Sequence, residues 1–220
     1  MGPDGLVGAG CAVAVLAGGQ SRRMGYDKAT AIIDHRTGET MLARVIRSLR
    51  LIASELLLVG GAPSLAAPEI RHVPDAMPHG GPLAALAAAL RAASTAHVLL
   101  VGCDMPLIRT ELVVDLLVCA TASPAEIVGI AAEGRPGRVE PLCALYATTL
   151  LSRVEALLAS GERRLGAIQR DAHVAALAEE IVARVDPARW SLFNVNTPDD
   201  LRRAQDAAMR DDLAPGYGVS

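Results

Sequence analysis

The run Cys11-Ala12-Val13-Ala14-Val15 is apolar throughout and breaks at Leu16-Ala17-Gly18-Gly19, after which the chain releases Arg22, Arg23 and Lys28. A short run that is apolar at every position, rather than at alternate ones, suits a strand covered on both faces, as in a parallel sheet. Two glycines at its end let backbone N–H groups converge on one point with no Cβ in the way. Ser21 adds a hydroxyl, and the two guanidinium groups and one ammonium add positive charge around that point. The pattern predicts a buried strand feeding a phosphate-binding loop. A plain strand-to-helix turn is the other reading of the glycines.

Composition bounds what such a loop serves. The chain has 220 residues and a formal net charge of −3, with a pI near 6.0. This length suits one domain able to bury a real core. A slightly acidic chain with basic groups gathered in one loop points to a small anionic ligand and away from nucleic acid. The hydrophobic content of 51% is swollen by alanine. No run approaches the roughly 20 apolar residues of a spanning helix, so no membrane is expected. The start carries Asp4 and no Lys or Arg, unlike the basic head of a signal peptide. Cys11, Cys103, Cys119 and Cys143 form no Cys-x-x-Cys pair and sit in apolar runs. They are expected as buried free thiols in a reducing, cytoplasmic setting, with metal or disulfide chemistry as the other reading.

Strand-like and helix-like stretches alternate along the chain. Thr30 to Asp34 is expected to be a short extended piece, with a turn at Arg36-Thr37-Gly38. Met41, Leu42, Val45, Ile46 and Leu49 fall at helical spacing. Glu55 to Val59, Glu69 to Val73 and Ala96 to Val101 read as buried strands. Gly80-Gly81-Pro82 opens a helix whose stripe is Leu83, Leu86 and Leu90. A further helix is expected over Glu111 to Ala120, and strands over Ile127 to Ala131 and Arg138 to Tyr146. Helical period returns at Thr148 to Ala159 and in a short piece at 163–170. This alternation predicts an α/β fold, with a mostly parallel central sheet in three layers and helices on both faces. Residues 1–10 are read as an N-terminal extension, 11–210 as a single domain and 211–220 as a frayed tail.

In such a sheet ligands gather beyond the carboxyl ends of the strands, where the strand order switches. The loops carrying Gly18, Gly19, Arg22 and Lys28, then Asp75, then Asp104, are therefore expected to open onto one crevice. Asp104 directly follows a buried run and precedes Met105-Pro106. Beside a triphosphate it suits Mg²⁺, a hard ion that takes oxygen donors and keeps several waters; alternatively it accepts backbone N–H groups of the turn. Asp75, after Val73-Pro74, is either a turn residue or an acceptor for the base or ribose of a nucleotide. The five histidines (His35, His72, His79, His97 and His173) have no ligand-like spacing and read as surface or locally satisfied residues. In Phe193-Asn194-Val195-Asn196 the alternation puts both amides on one side of an extended strand, to serve a ligand or a neighbouring loop. Thr197 and Asp200 form a capping-box pattern, with Pro198 suited to the first helical turn.

Together these blocks resemble the molybdenum cofactor guanylyltransferases of the nucleotidyltransferase superfamily. The resemblance covers roughly residues 12–205. It rests on Leu16 to Lys28, Gly80-Gly-Pro-Leu-Ala-Ala-Leu86, Cys103-Asp-Met-Pro106, Glu140-Pro-Leu-Cys-Ala-Leu-Tyr146, Gly161-Glu-Arg-Arg164 and Asn194-Val-Asn-Thr-Pro-Asp-Asp-Leu201. It implies a Rossmann-like nucleotidyltransferase fold and transfer of GMP from GTP to the phosphate of molybdopterin, with Mg²⁺ as cofactor. It further implies that Leu16, Ala17, Gly18, Gly19 and Ser21 meet the nucleotide, together with Asp75, and that Lys28 meets its phosphates. Asp104 would bind the metal, and Asn194 and Asn196 would lie near the metal or the second substrate. Arg22, with Lys28 and Asp104, would serve catalysis, Arg22 and Arg23 on the departing pyrophosphate. Other proteins of molybdenum cofactor biosynthesis, or acceptor enzymes, are the implied protein partners. For the pterin itself the candidates are Glu162, Arg163, Arg164 and the stretch Gly134 to Gly137.

One departure bears on the base. Some relatives carry an asparagine near the end of the second strand that helps hold the nucleotide, and here that stretch is Val59-Gly60-Gly61. A related transferase using CTP or ATP, or a different phosphorylated acceptor such as a sugar phosphate, is therefore the alternative activity. A non-catalytic nucleotide-binding module is a third reading.

Overall fold

A computed structural model of the chain describes residues 10–17, 28–74, 77 and 80–210. Gly18, Gly19, Ser21, Arg22, Arg23, Asp75 and His79 lie outside the described residues, as do the expected tail and nearly all of the N-terminal extension.

The all-apolar run forms β1 (Cys11–Leu16), in which Cys11 through Val15 are 2% exposed or less. It is flanked by β4 (Ala53–Val59) on one side and β6 (His97–Gly102) on the other, both parallel to it. Alternate side chains supply two cores, as the strand period of two requires. Val13 and Val15 join Leu58, Leu99 and Val101 against α1 (Met41–Leu49) and α3 (Thr110–Ala122). Ala12 and Ala14 join Leu57, Val98 and Leu100 against α2 (Gly81–Ala92) and α4 (Leu151–Ala159). The sequence expectation of helices on both faces of the sheet is met.

With β5 (Ile70–Val73), β7 (Ile127–Gly129), β8 (Ala144–Ala147) and β9 (Val174–Ala176), the sheet runs in the order β5-β4-β1-β6-β8-β7-β9. Only β8 runs against its neighbours β6 and β7. From β1 the chain moves outward to β4 and β5, then returns to β6 on the other side of β1. The order therefore switches between β1 and β6, whose last residues, Leu16 and Gly102, are register partners. A separate antiparallel ribbon, β2 (Ile32–Asp34) with β3 (Glu39–Thr40), packs Ile33 against Val195 and the inner face of α6 (Pro198–Met209). Among the described residues no helix is long and apolar enough to cross a membrane.

Three sequence expectations need correction. The strand foreseen over Arg138 to Tyr146 is confined to β8, because Cys143 adopts a left-handed φ of 61° and interrupts the extended chain. Before it, Val139 meets Ala131 in an isolated antiparallel bridge, and the side-chain amide of Gln169 closes on both backbone groups of Val139. Phe193 to Asn196 belongs to no strand; it is a connection between a 3₁₀ turn (Trp190–Leu192) and α6. Finally, β9 and α5 (Glu179–Val185) fill a stretch for which the sequence reading foresaw no element; at three and seven residues they are too short to show a period.

All four cysteines are free. Burial pushes the Cys11 thiol up to about 11, and burial with the nearby Asp186 pushes Cys143 up to about 12. Both therefore stay protonated at neutral pH and act as small apolar side chains. His72 sits with Nε2 at 3.2 and 3.3 Å from the carbonyls of Gly60 and Gly61, a local partner as foreseen.

Candidate active site

The switch point gathers residues that are far apart in sequence. The Leu16 carbonyl accepts from the Cys103 N–H (3.0 Å), and the Ala17 N–H donates to the Val59 carbonyl (3.0 Å). These bonds hold the ends of β1, β4 and β6 level. Beyond β6 the chain turns at Gly102, where the Met105 N–H reaches back to the Gly102 carbonyl (3.1 Å). A Cβ added at Gly102 would stand 2.3 Å from Oδ1 of Asp104. The absence of a side chain at Gly102 is what lets the Asp104 carboxylate fold over the strand end.

Lys28 opens a single 3₁₀ turn (Lys28–Thr30) and points its amine at this carboxylate. Its Nζ donates to Asp104 Oδ2 at 3.0 Å and to Asn196 Oδ1 at 2.7 Å. The two charged side chains retain 18% and 22% of their exposure, sheltered from water without being sealed from a ligand. The C-terminal segment is tied in by its backbone, since the Val195 N–H donates to the Asp104 carbonyl (2.8 Å). The Thr197–Asp200 capping box fixes the segment from its other end, with the Asp200 carboxylate accepting from the N–H groups of both Asn196 and Thr197. These bonds to its charged form, led by the Thr197 hydroxyl, hold the Asp200 carboxyl below its usual range. Asn194 bends back to donate to the Leu192 carbonyl (2.9 Å) and faces a neighbouring cleft.

Of the residues singled out in the sequence, the fold thus brings Leu16, Ala17, Lys28, Asp104, Asn194 and Asn196 to one sheet edge. Gly60 and Gly61 follow the end of β4 beside them, both with left-handed φ (72° and 68°), and a Cβ on Gly61 would stand 3.0 Å from the Ala17 Cβ. Glycine is needed there for backbone passage, which accounts for the absence of a side chain at that point. Glu162 and Arg164 instead bond to each other, and Glu162 also receives the N–H groups of Arg163 and Arg164. This network brings its carboxyl down to about 2. It shapes the turn whose Arg163 carbonyl accepts from the Leu83 N–H at the start of α2 (3.3 Å). Neither residue lines the cleft.

Asp186, which the sequence reading passed over, shapes this edge as well. Its buried carboxylate accepts from the N–H groups of Trp190 (2.9 Å) and Ser191 (2.7 Å) and lies 3.4 Å from the Arg109 guanidinium. It thereby sets the turn that presents Leu192 and Asn194. The Asp186-Pro187 pair is a turn signal visible in the sequence, though nothing in the sequence connects it to this edge.

Residues 13–176 match the family described as MobA-like NTP transferase domain. The chain belongs to this family. Its similarity extends to a probable molybdenum cofactor guanylyltransferase of Mycolicibacterium paratuberculosis, 38% identical over 193 residues, or 86% of this chain and 91% of that one. A molybdenum cofactor guanylyltransferase of Rhizobium johnstonii is 36% identical over 200 residues, covering 87% and 90% of the two chains. Among solved structures, the molybdopterin-guanine dinucleotide biosynthesis protein A of Archaeoglobus fulgidus superposes with a TM-score of 0.75 at 25% identity, over 90% of this chain and 98% of that one. The MobA-like match includes Leu16, Ala17, Lys28 and Asp104 and stops short of Asn194 and Asn196. The nucleotidyltransferase core thus carries the lysine and the carboxylate, and a C-terminal segment beyond it supplies the amide that meets the lysine.

Proposed function

We propose that the protein transfers GMP from GTP to the terminal phosphate of molybdopterin, giving molybdopterin guanine dinucleotide and pyrophosphate. The observation that carries this reading is the convergence of Lys28, Asp104 and Asn196 at the switch point of a MobA-like sheet. The names of relatives that match most of the chain supply guanine and the molybdenum cofactor.

The acceptor phosphate is already an anion at neutral pH, so its oxygen needs no general base to attack the α-phosphorus. The new P–O bond forms as the bond from the α-phosphorus to the bridging oxygen breaks, and pyrophosphate leaves with the electron pair. The task left to the protein is to bring two anions together and to stabilise charge on the transferred and leaving oxygens. In this reading the Lys28 ammonium stands over the α-phosphate. Leu16, Ala17, Gly18, Gly19, Ser21 and Asp75 hold the nucleotide, and Arg22 and Arg23 take the departing pyrophosphate; of these, only Leu16 and Ala17 are among the described residues.

Asp104 would hold Mg²⁺. The donors here are one carboxylate and nearby amide oxygens, all hard, and among the described residues no group of three carboxylate, histidine or cysteine side chains gathers for a metal. Such a sparse set suits an ion that fills its remaining positions with water and phosphate oxygens. When bound, Mg²⁺ would neutralise phosphate charge beside Lys28. The enzyme would act in the cytoplasm, where its thiols stay reduced, and hand its product to other proteins of cofactor biosynthesis or to acceptor enzymes.

Thermal melts with Mg²⁺ and each nucleoside triphosphate test the nucleotide half of this reading. A ligand at 100 times its Kd adds roughly 2.7 kcal/mol of stability. GTP with Mg²⁺ is expected to raise the melting temperature more than CTP or ATP does. A larger rise with CTP contradicts guanylyl transfer.

A further inference from the structure

Beside Asp104 and Asn196 lies a cleft of about 310 Å³, lined by Met105, Glu133, Glu140, Leu142, Leu192 and Asn194, with Pro141 and Arg189 completing its wall. Met105 directly follows Asp104, and Asn194 stands two residues before Asn196, so the cleft adjoins the lysine–carboxylate–amide cluster. The floor is apolar. The polar groups are the Asn194 amide, which donates to the Leu192 carbonyl, the Arg189 guanidinium, and two carboxylates that, among the described residues, have no hydrogen-bond or ion-pair partner. Among the described residues the one cation in the wall, Arg189, is already engaged through its guanidinium by Glu179 at 2.9 and 2.7 Å.

This polarity decides what the cleft can hold. Two unneutralised carboxylates repel a phosphate, so the phosphates of both substrates belong at Lys28 and not here. A flat heterocycle that is apolar on its faces and rich in N–H donors at its edge fits instead. Pterin and guanine both offer such an edge, with a ring N–H beside a 2-amino group, and a single carboxylate can accept from both donors at once.

Topology separates the two. Leu16 ends β1 and Ala17 follows it, Gly60 and Gly61 follow β4, and in the sequence Asp75 comes after β5. The ends of β1, β4 and β5 all lie on one flank of Asp104, which follows β6. The cleft is built on the other flank, from the β7–β8 connection and the segment before α6. The only two non-glycine residues with positive φ among the described residues border it: Arg189 (φ 52°) in its wall and Cys143 (φ 61°) directly after Leu142. Backbone strain of this kind concentrates where a binding surface must be held in shape.

We propose that this cleft receives the pterin ring of the acceptor and that Glu140, half-buried beside Pro141 and Leu142, accepts from the ring N–H and the 2-amino group. Glu133, which also lines the cleft, is exposed. The inference rests on the reading of molybdopterin as acceptor and adds the residue that selects it. It assigns Glu140 to substrate specificity, leaving the phosphate chemistry to Lys28 and Asp104.

The test is Glu140→Gln, which turns one acceptor into a donor facing the ring's donors, with Glu133→Gln as the exposed control. A hydrogen-bonded carboxylate lost in this way is expected to raise KM for molybdopterin by about 10- to 100-fold. KM for GTP and the melting temperature are expected to stay at wild-type values, and Glu133→Gln, at a solvent-screened position, to change KM for molybdopterin by less than about threefold. An unchanged KM for molybdopterin in Glu140→Gln overturns the assignment while transfer by the wild type leaves the proposed function standing. A rise in KM for GTP instead overturns it in favour of guanine in the cleft. If the wild type transfers nothing to molybdopterin, the proposed function falls, and quenching of 6-hydroxymethylpterin fluorescence tests the cleft alone. Quenching by the wild type that Glu140→Gln loses upholds the cleft; equal quenching, or none by the wild type, overturns it.

Discussion

Lys28 divides its amine between the Asp104 carboxylate at 3.0 Å and the Asn196 amide oxygen at 2.7 Å, so three distant stretches of chain meet at one nitrogen. If that ammonium stabilises charge developing on the transferred phosphate, Lys28→Ala is expected to lower kcat about 10²- to 10³-fold with the fold intact. Near-normal turnover in a pyrophosphate-release assay would remove Lys28 from the chemistry. Asp104→Ala is expected to fold and to lose its response to Mg²⁺, checked by titrating the metal into a melt with GTP; an undiminished response returns Asp104 to the role of a turn residue. Both residues were legible in the sequence because each follows a buried run and stands among loop signals. Glu140 and Asp186 were not. A lone carboxylate in an apolar stretch reveals its role only when the fold shows what lies beside it: an open cleft for Glu140, two backbone N–H groups for Asp186.

Among the elements, α6 owes its position to the capping box as much as to the apolar contacts of Val195, Ala204 and Ala207. The Asp200 carboxyl is held low by the Thr197 hydroxyl and by the N–H groups of Asn196 and Thr197. Its contribution is therefore complete above the ordinary carboxylate pKa of about 3.9 and disappears as pH falls through the lower folded value. Asp200→Asn is expected to cost about 1 kcal/mol at pH 7, the usual worth of a helix cap. Denaturation at pH 7 and at pH 3 checks this: the gap between wild type and variant is expected to narrow in acid, and a constant gap would show that the charge is not what matters. The capping box could be read directly from Thr197-Pro198-Asp199-Asp200, since its spacing is its mechanism. The length of β8 could not. An apolar run predicts an extended chain, and only the conformation at Cys143 shows where the extension stops.

Across the whole molecule, the parallel sheet of a chain of net charge −3 gathers a cation, a carboxylate and an amide at one edge, the arrangement the proposed transfer between two anions needs. The order of strands places the ends of β1, β4 and β5 on one flank of Asp104 and an acidic, largely apolar cleft on the other. That two-sided arrangement suits a transferase that must present a nucleotide and a pterin to each other with their phosphates meeting at Lys28. Strand–helix alternation foretold the sheet and its two covered faces, because buried strands and amphipathic helices carry their periods locally. The cleft is formed by loops between β7 and β8 and before α6, whose meeting depends on the reversed β8 and leaves no period to read. The central claim is tested most directly by following the label from α-phosphate-labelled GTP in the presence of Mg²⁺ and molybdopterin. The label is expected on the pterin, one pyrophosphate released for each transfer, and neither with Lys28→Ala at comparable rate. Label that stays on the nucleotide, or that moves faster from CTP than from GTP, contradicts the account.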